Sequence, residues 1–223
     1  TWTDGGDIYF SWPDSGGGLY RVSDQGGDPQ AISVPASASG EVEHATPSAL
    51  PGDDGILYVS WPAEGRDENA WVAVLDPADG TSHRLTPGIQ PYYSETGHLV
   101  YALADGSIMA RSFDPSSFEL GDEAVRIAEG VVTHDYSDTE YAVSRSGAIV
   151  VRPGNDRNRG LTRVTLSGEP TPLMETNLEV ANPRFSPDGR RVVYSRARDL
   201  VGSGVDLWIL DLETGLETRF TTE

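Results

Sequence analysis

A short aliphatic or aromatic run recurs along the whole chain and constrains the fold more than any other feature. The runs begin at Ile8, Leu57, Leu99, Ile149 and Val192. Equivalent positions lie about 43 to 50 residues apart, which is the repeat length of four-stranded propeller blades. Ankyrin and leucine-rich repeats are shorter. The spacing therefore predicts a repeated β-architecture.

The same order of turns and strands surrounds each run. A turn that contains glycine precedes it, as in Glu95-Thr96-Gly97 and Pro187-Asp188-Gly189, where the glycine supplies the positive φ of a hairpin. A second run with period-two alternation follows, and another turn leads into a short polar segment. Short polar strands are typical of exposed sheet edges. In the last unit, Pro183 predicts that ordered strand pairing begins only after it.

These observations predict an all-β fold, a β-propeller of four-stranded antiparallel blades with five blades visible. Helical periodicity of apolar residues is not sustained over eleven residues anywhere in the chain. An ordinary β-sandwich is the alternative, but a sandwich does not require one ordered unit at a steady period. We expect a single propeller over residues 1–223, with blades at about 1–35, 36–87, 88–130, 131–176 and 177–223.

Composition excludes several classes of function. The formal net charge is −19, and all 16 basic residues are arginine, so we expect no nucleic-acid partner because the phosphate backbone would be repelled. No apolar run approaches the length of a membrane-spanning helix, so the chain is not expected to be embedded in a membrane. With no cysteine, disulfides, thiolate metal sites and a cysteine nucleophile are excluded.

The last unit carries a family resemblance. The segment Asn182-Pro183-Arg184-Phe185-Ser186-Pro187-Asp188-Gly189, continued by Arg190-Arg191-Val192-Val193-Tyr194-Ser195 and later by Asp206–Asp211, resembles the TolB-type, WD-repeat-like propeller repeat. The segment Gly97–Ala102 is similar to propellers attached to bacterial serine/threonine kinases. The resemblance implies the propeller fold and a periplasmic or otherwise extracytoplasmic location, and it implies no shared catalytic site.

Relatives of this type commonly close with six or more blades, so five units are expected to be part of a larger ring. An open piece would leave the apolar faces of its terminal blades exposed. At ~25 cal/mol per Å² of apolar surface, that exposure forfeits on the order of 10 kcal/mol, comparable with the net stability of a whole domain. We therefore expect an isolated piece to be unstable or to associate with itself.

Catalytic signatures are missing from the sequence. There is no Gly-x-Ser-x-Gly segment, no kinase signature and no calcium loop of the EF-hand pattern. The four histidines lie in four different units without zinc spacing. Most Asp residues sit where turn geometry requires them. The exception is Asp135–Asp138, which is expected to precede an inner strand rather than close a hairpin, and which we keep as a candidate metal or polar-ligand segment. We expect no cofactor and no enzyme activity.

Binding candidates lie in the long loops that share one face of a propeller, because such loops carry function on a rigid scaffold. Two arginine groups, around Arg152–Arg163 and Arg190–Arg198, form locally positive regions, for which solvated loops and cross-strand ion pairs are the structural alternative. Trp12 and Trp61 are expected to be mainly structural. The candidate binding residues are Tyr92, Asp135, Tyr136, Asp138, Arg157, Arg159 and Arg198.

Three functional hypotheses remain open. The first is a non-catalytic scaffold that binds a protein or peptide partner at its loop-rich face. The second is the propeller of a larger enzyme, either the extracytoplasmic sensor of a serine/threonine kinase or the gating propeller of a prolyl-oligopeptidase-like hydrolase. The third is a sugar-active propeller, which needs paired carboxylates. Its donors would come from Glu41, Glu43, Asp135 and Glu179.

Overall fold

Alternation of apolar and polar residues between glycine turns folds the chain into successive antiparallel sheets. The computed structural model describes residues 1–3, 5–12, 16–64, 68–134, 138–154, 159–176, 178–198 and 204–221. Strand accounts for 57% of the residues and helix for 3%. The fold is a β-propeller of five antiparallel blades, so the predicted fold class is confirmed.

The first two sheets are meanders in which neighbouring strands are consecutive in the chain. The first contains β1 (Asp7–Ser11), β2 (Leu19–Ser23) and β3 (Gln30–Ala31). A fourth segment, Thr1–Thr3, pairs with β1, because the Tyr9 N–H donates to the Thr1 carbonyl at 2.8 Å. The second sheet contains β4 (Glu41–Ala49), β5 (Ile56–Pro62), β6 (Trp71–Leu75) and β7 (Ser82–Pro87). Short 3-10 helices cover Ser37–Ser39 and Pro51–Asp53.

The remaining three sheets repeat the meander. The third contains β8 (Ile89–Ser94), β9 (His98–Ala102), β10 (Ile108–Asp114) and β11 (Glu119–Ala128). A two-stranded pair, β12 (Thr133–His134) and β13 (Asp138–Thr139), precedes the fourth. The fourth contains β14 (Tyr141–Val143), β15 (Ile149–Val151), β16 (Arg159–Val164) and β17 (Pro170–Thr176). The fifth contains β18 (Val180–Phe185), β19 (Arg191–Ala197), β20 (Val205–Asp211) and β21 (Glu217–Arg219).

The chain forms two compact units. The first comprises Thr1–Tyr93, Gly97–Ala104 and Ala110–Ala124, and the second comprises Ser94–Thr96, Asp105–Met109 and Val125–Glu223. In the first unit, side chains of the first and second sheets share one core, which includes Tyr9, Leu19, Ile56 and Tyr58. In the second unit, the fourth and fifth sheets share another, which includes Leu161, Met174, Val192 and Tyr194.

Burial differs between the sheets in a regular way. In β5 every residue from Ile56 to Trp61 is buried, so both faces of the second sheet are covered. In β19 only Val192 and Tyr194 are buried, so the fifth sheet is covered on one face. A strand covered on both sides is apolar on both faces, whereas a strand covered on one side alternates. Within the described residues, no helix is long and apolar enough to cross a bilayer.

Two local expectations were wrong. Pairing of β18 with β19 does not begin after Pro183, because Val180 and Ala181 already pair with Arg196 and Ser195. The register shifts at this point, and Asn182 adopts a positive φ of 55°, so a bulge accommodates the proline that has no N–H to donate. The outer strand β11 is also not short, since it spans 10 residues.

Packing between sheets, rather than hairpin formation, should dominate stability. Leu161 is fully buried in the core of the second unit, so Leu161→Ala should lower the free energy of unfolding by about 2–5 kcal/mol. Leu216 is 65% exposed, so the matched Leu216→Ala variant should change it by less than about 0.5 kcal/mol. Equilibrium urea titration measures both values, and equal losses in the two variants would contradict this account.

Candidate functional site

The strands that flank the predicted segment Asp135–Asp138 precede the fourth sheet. Asp135 and Tyr136 fall outside the described residues, as does Arg157. The flanking strands β12 and β13 form an antiparallel hairpin, with His134 opposite Asp138. This strand pair precedes the inner strand β14, and the expectation for the segment between its strands lies outside the described residues.

Backbone contacts bring the base of this hairpin beside the start of the arginine-rich loop. Val131 bridges Pro153, and the Val132 N–H donates to the Arg152 carbonyl at 3.0 Å. The backbone of Arg159 pairs with Thr176 at the other end of the loop. Two segments that the sequence analysis proposed separately thus begin at one end of one sheet.

An open cleft of about 440 Å³ runs from this end along the fourth sheet to the turn between β16 and β17, within the second unit. Its walls include the apolar residues Ile127, Val151 and Val164, all of which are buried in the protein. Arg126 and Glu129 lie at the same cleft and form an exposed ion pair at 3.7 Å. The cleft therefore combines an apolar floor with a charged margin, which is the usual anatomy of a ligand or peptide groove.

A second hollow of about 690 Å³ adjoins the cleft and shares Glu129 and Pro153 with it. Its lining includes Gly130 and Gly154, which present backbone rather than side-chain atoms. It also includes Thr133 of strand β12. The two hollows together lead from the apolar floor to Thr133 and Gly154, near the ends of the loops that the sequence analysis selected.

Among the described residues at this end, Arg152 has an unused hydrogen-bond donor. Its Nη2 lies 3.7 Å from Glu179 Oε1, while its buried Nη1 has no hydrogen-bond partner among the described residues. Glu140, also buried, accepts a hydrogen bond from the Asn182 N–H. A buried guanidinium donor without a partner is costly unless something else accepts from it.

Two arginines of the second predicted positive region, Arg196 and Arg198, form ion pairs. Arg198 holds Asp206 through two hydrogen bonds of 3.1 Å each, and Arg219 contacts the same carboxylate at 2.8 Å. Burial acts to raise the pKa of Asp206, but the hydrogen bonds from the two arginines outweigh it and hold the pKa below its ordinary value. The binding role of Arg198 stays a prediction, and the structure gives this side chain a structural contact.

Arg196 is also engaged within the fifth sheet. It contacts Glu217 at 2.5 Å, and its guanidinium lies 3.4 Å from the centre of the Trp208 ring. Cross-strand ion pairs, the structural alternative considered for these arginines, therefore account for Arg196 and Arg198.

The predicted aromatic residues occupy different environments. Tyr92 lies half-buried on β8, and its hydroxyl accepts a hydrogen bond from Gln90 at 3.4 Å. Trp61 is buried, which agrees with the structural role expected for it, whereas Trp12 is 43% exposed. Trp12 packs against Tyr20 with ring centres 5.6 Å apart, so it belongs to an exposed aromatic cluster rather than to a core.

A Ser–His–Glu arrangement in the first unit was missed by the sequence analysis. Ser33 Oγ lies 2.8 Å from His44 Nδ1, and His44 Nε2 lies 3.3 Å from Glu41 Oε2. Because a carboxylate only accepts, Nε2 carries the proton, and Ser33 then donates to Nδ1. The order of contacts is that of a hydrolytic triad.

The surroundings of these residues indicate a structural network. His44 is only 3% exposed, and Ser33 Oγ also accepts the Leu19 N–H at 2.9 Å. Arg84 and the Ala36 N–H anchor Glu41. These contacts join segments of the first and second sheets, where a buried polar network rigidifies a joint when all its members are satisfied.

A β-bulge explains why the sequence analysis missed this network. Glu41 pairs with Pro62 and Glu43 with Trp61, so the register shifts between them. The bulge brings Glu41 and His44 together, although strict period-two alternation places them on opposite faces. Of the four carboxylates considered for sugar chemistry, Glu41 is thus engaged here, and Glu179 contacts Arg152.

Turn aspartates fill the structural role expected for them. Asp188 and Asp211 each accept hydrogen bonds from backbone N–H groups two residues further on, which is the Asx-turn contact. Over the residues that the structure describes, no group of three or more His, Asp or Glu side chains converges in a way that could hold a metal ion.

Comparison with known proteins supports the fold and no closer assignment. No protein-family model matches the chain, and no curated protein matches it in sequence. TolB from Acinetobacter baumannii is similar in structure over 97% of this chain and 53% of its own, with a TM-score of 0.69 and 17% identity. A TolB-like protein from Agrobacterium tumefaciens is similar over 96% of this chain and 80% of its own, with a TM-score of 0.67 and 17% identity.

A puromycin-hydrolysing peptidase from Mycobacterium tuberculosis is also similar. It matches 97% of this chain and 36% of its own, with a TM-score of 0.68 and 15% identity. The chain thus spans about half the length of the first TolB and just over a third of the peptidase. At these identities the likeness establishes the TolB-type propeller fold.

The Ser33–His44–Glu41 network predicts a defined loss of stability in acid. Burial lowers the pKa of His44 below its ordinary 6.5. For Glu41, burial acts to raise the pKa, but hydrogen bonds from Arg84 and Ala36 outweigh it and lower the pKa from 4.5 to about 2. Both groups bind protons more readily when unfolded, so stability is full above pH 6.5 and falls as the pH decreases. The His44 contribution is lost first, and the Glu41 contribution is lost between 4.5 and about 2.

Urea titrations between pH 7.5 and 5 measure how much His44 contributes to the pH dependence of the free energy of unfolding. In His44→Gln the free energy of unfolding should depend less on pH in this range. In His83→Gln, a change at an exposed position, its pH dependence should equal that of the wild-type chain. Equal pH dependence in the wild-type chain and in His44→Gln would show that the network does not contribute.

Proposed function

We propose that the chain is a non-catalytic propeller module that binds a protein or peptide segment at the loop-bearing end of its fourth sheet. The cleft along Ile127, Val151 and Val164 carries the proposal. It is apolar at its floor, open to solvent, and reaches Pro153 at the start of the arginine-rich loop. Propellers without catalytic groups commonly use such loops on a rigid scaffold for recognition.

The edge of the third sheet favours an extended partner. β11 is the outermost strand of its sheet and includes Arg126, Ile127 and Ala128 of the cleft. An outermost strand presents backbone N–H and C=O groups that can pair with a peptide. Opposite it, the edge strand β17 carries Pro170 and Pro172, which have no N–H to offer. β11 is therefore the edge expected to guide a peptide into the cleft.

The charge of the chain limits which side chains a bound peptide would carry. With a net charge of −19, the chain as a whole repels strongly acidic segments. The floor favours apolar side chains. We therefore propose an extended segment with alternating apolar side chains and few acidic residues.

A steric block of the cleft tests the proposal. Ala128 lines the cleft and is half-buried, whereas Ala124 lies on the same strand, is exposed and does not line it. A random 12-residue peptide library is selected on the immobilised chain, and the selected peptides are titrated by calorimetry. Ala128→Trp should weaken binding at least tenfold, because the indole fills the groove, and Ala124→Trp should leave it unchanged.

Selection of no peptide above background would contradict the proposal. So would selected peptides whose affinity is the same for Ala128→Trp and for the wild-type chain. A folded far-UV circular dichroism spectrum of each variant shows that the comparison concerns the cleft.

A second candidate function is the propeller of a larger enzyme, located outside the cytoplasm as the TolB-type resemblance implies. The likeness to just over a third of a puromycin-hydrolysing peptidase favours it. Reading the gene on both sides of these 223 residues tests this candidate directly. A hydrolase or membrane-anchored kinase domain in the same frame would support it, and a frame that encodes neither would exclude it.

A further inference from the structure

Glu129 lies where the cleft meets the adjoining hollow, and it lines both. It directly follows the last residue of β11. Hydrogen bonds hold the next two residues in place. The Gly130 carbonyl accepts the Gly154 N–H at 2.6 Å, and the Val131 N–H donates to the Gly106 carbonyl at 3.1 Å. The backbone beside Glu129 is therefore anchored, whereas the Glu129 side chain is 76% exposed.

The ion pair that Glu129 forms with a described residue is weak. Its Oε2 lies 3.7 Å from Arg126 Nη1, which is beyond hydrogen-bond distance. The Arg126 side chain is 60% exposed. Exposed ion pairs of this kind contribute little, because water and salt screen both charges. Another cation can therefore take the place of Arg126 at a small cost in free energy.

Arg126 also acts on a second carboxylate. The Ser107 N–H donates to Asp105 Oδ1 at 2.9 Å and is the main reason that the pKa of Asp105 lies below its ordinary value. The positive charge of Arg126 lowers that pKa further. One guanidinium thus serves two carboxylates, and one negative charge remains in excess. In a cleft with an apolar wall, such an excess attracts a cation.

The spacing of Ile127 and Glu129 fits an extended peptide. The two residues are two positions apart, and Ile127 belongs to the apolar floor. In an extended chain every second side chain points to the same side, about 6.5–7 Å further along. A peptide that runs beside β11 with an apolar side chain on the floor therefore brings the side chain two positions away towards Glu129.

We propose that the segment bound in the cleft carries a basic side chain two positions from its apolar anchor, and that Glu129 selects this side chain. The inference rests on the proposed function, since it assigns the chemistry of the peptide bound there. A basic side chain of the partner replaces Arg126 at the Glu129 carboxylate, and a partner arginine can do so with two parallel hydrogen bonds. Arg126 is then an internal competitor, which has to leave Glu129 before the partner binds.

Three synthetic libraries of 12-residue peptides test the preference for a basic side chain. Each library is random except that leucine is fixed at the sixth position and one further residue type at the fourth and eighth positions. That residue is arginine in the first library, glutamine in the second and glutamate in the third, so either chain direction places it two positions from leucine. On the immobilised chain, the arginine library should yield the most binders and the glutamate library the fewest.

Two substitutions locate the effect, because the net charge of −19 also attracts basic peptides. The tightest arginine peptide is titrated by calorimetry beside its citrulline analogue, which has a similar shape without the charge. Glu129→Gln should weaken binding of the arginine peptide about three- to fivefold and leave the citrulline peptide unchanged. Glu119→Gln makes the same change in net charge at an exposed position of β11 outside the cleft lining, and it should leave both affinities unchanged.

Arg126→Gln should have the opposite effect. Without the internal competitor, the arginine peptide should bind about three- to fivefold more tightly. Arg163→Gln is the matched control, because Arg163 is exposed and lies outside the cleft lining, and this variant should leave the affinity unchanged. A merely structural role of the Arg126–Glu129 pair predicts weaker binding in both Arg126→Gln and Glu129→Gln, so the opposite signs separate the two roles.

Equal recovery from the three libraries would overturn the proposal, as would a Glu129→Gln variant that binds the arginine peptide with wild-type affinity. Either result leaves peptide binding at the cleft intact, because the selected peptides still respond to Ala128→Trp. Recovery of no peptide from any library would instead contradict the proposed function, and the specificity of Glu129 with it.

Discussion

Packing of one sheet face on the next is the interaction on which this structure depends. The chain has no cysteine, and its strands are short, so an isolated hairpin or a single sheet would be marginal in water. Each unit gains stability where an apolar triplet of one sheet is buried on the facing strands of its neighbour. Residues at the ends of the strands are free of this constraint, and the longest loops lie there.

The packing of sheet on sheet also determines how the buried polar side chains are partnered. Buried polar side chains at a joint between sheets need partners, and His44, Glu41 and Ser33 supply one another with them. Arg198 and Arg219 neutralise Asp206 in the fifth sheet. These networks occupy groups that in isolation suggest catalysis or anion binding. Arg152 differs, because one of its donors is buried without a partner among the described residues. Its neighbours in the chain, Val151 and Pro153, line the cleft.

Much of the fold could be predicted because turn chemistry and period-two alternation act locally. The runs at Ile8, Leu57 and Val192 each form a strand, and turn aspartates such as Asp188 make the contacts expected of them. Prediction failed where the register shifts. Bulges at Asn182 and after Glu41 change which residues share a face of the sheet. The local alternation of apolar and polar residues does not predict a bulge. The length of β11 was missed because its exposed residues lack apolar alternation.

The candidate site was predictable only in part. The residues around Asp135 and Arg157 were selected for their loops, and the structure brings the bases of both loops together through Val131 and Pro153. The cleft itself was not foreseen, since Ile127, Val151 and Val164 belong to three strands, and their convergence depends on tertiary packing. Ion pairing of Arg198 depends on a partner eight residues away across a loop, which spacing alone does not reveal.

Hydrogen–deuterium exchange, followed strand by strand at about 1 μM protein, tests most directly whether covering both sheet faces determines local stability. The account predicts the slowest exchange in β5 and β6 of the second sheet, in which nearly every side chain is buried. Exchange should be markedly faster in β1, β2 and β20, each of which has at most two buried residues. Equal protection of these two groups of strands would contradict the account.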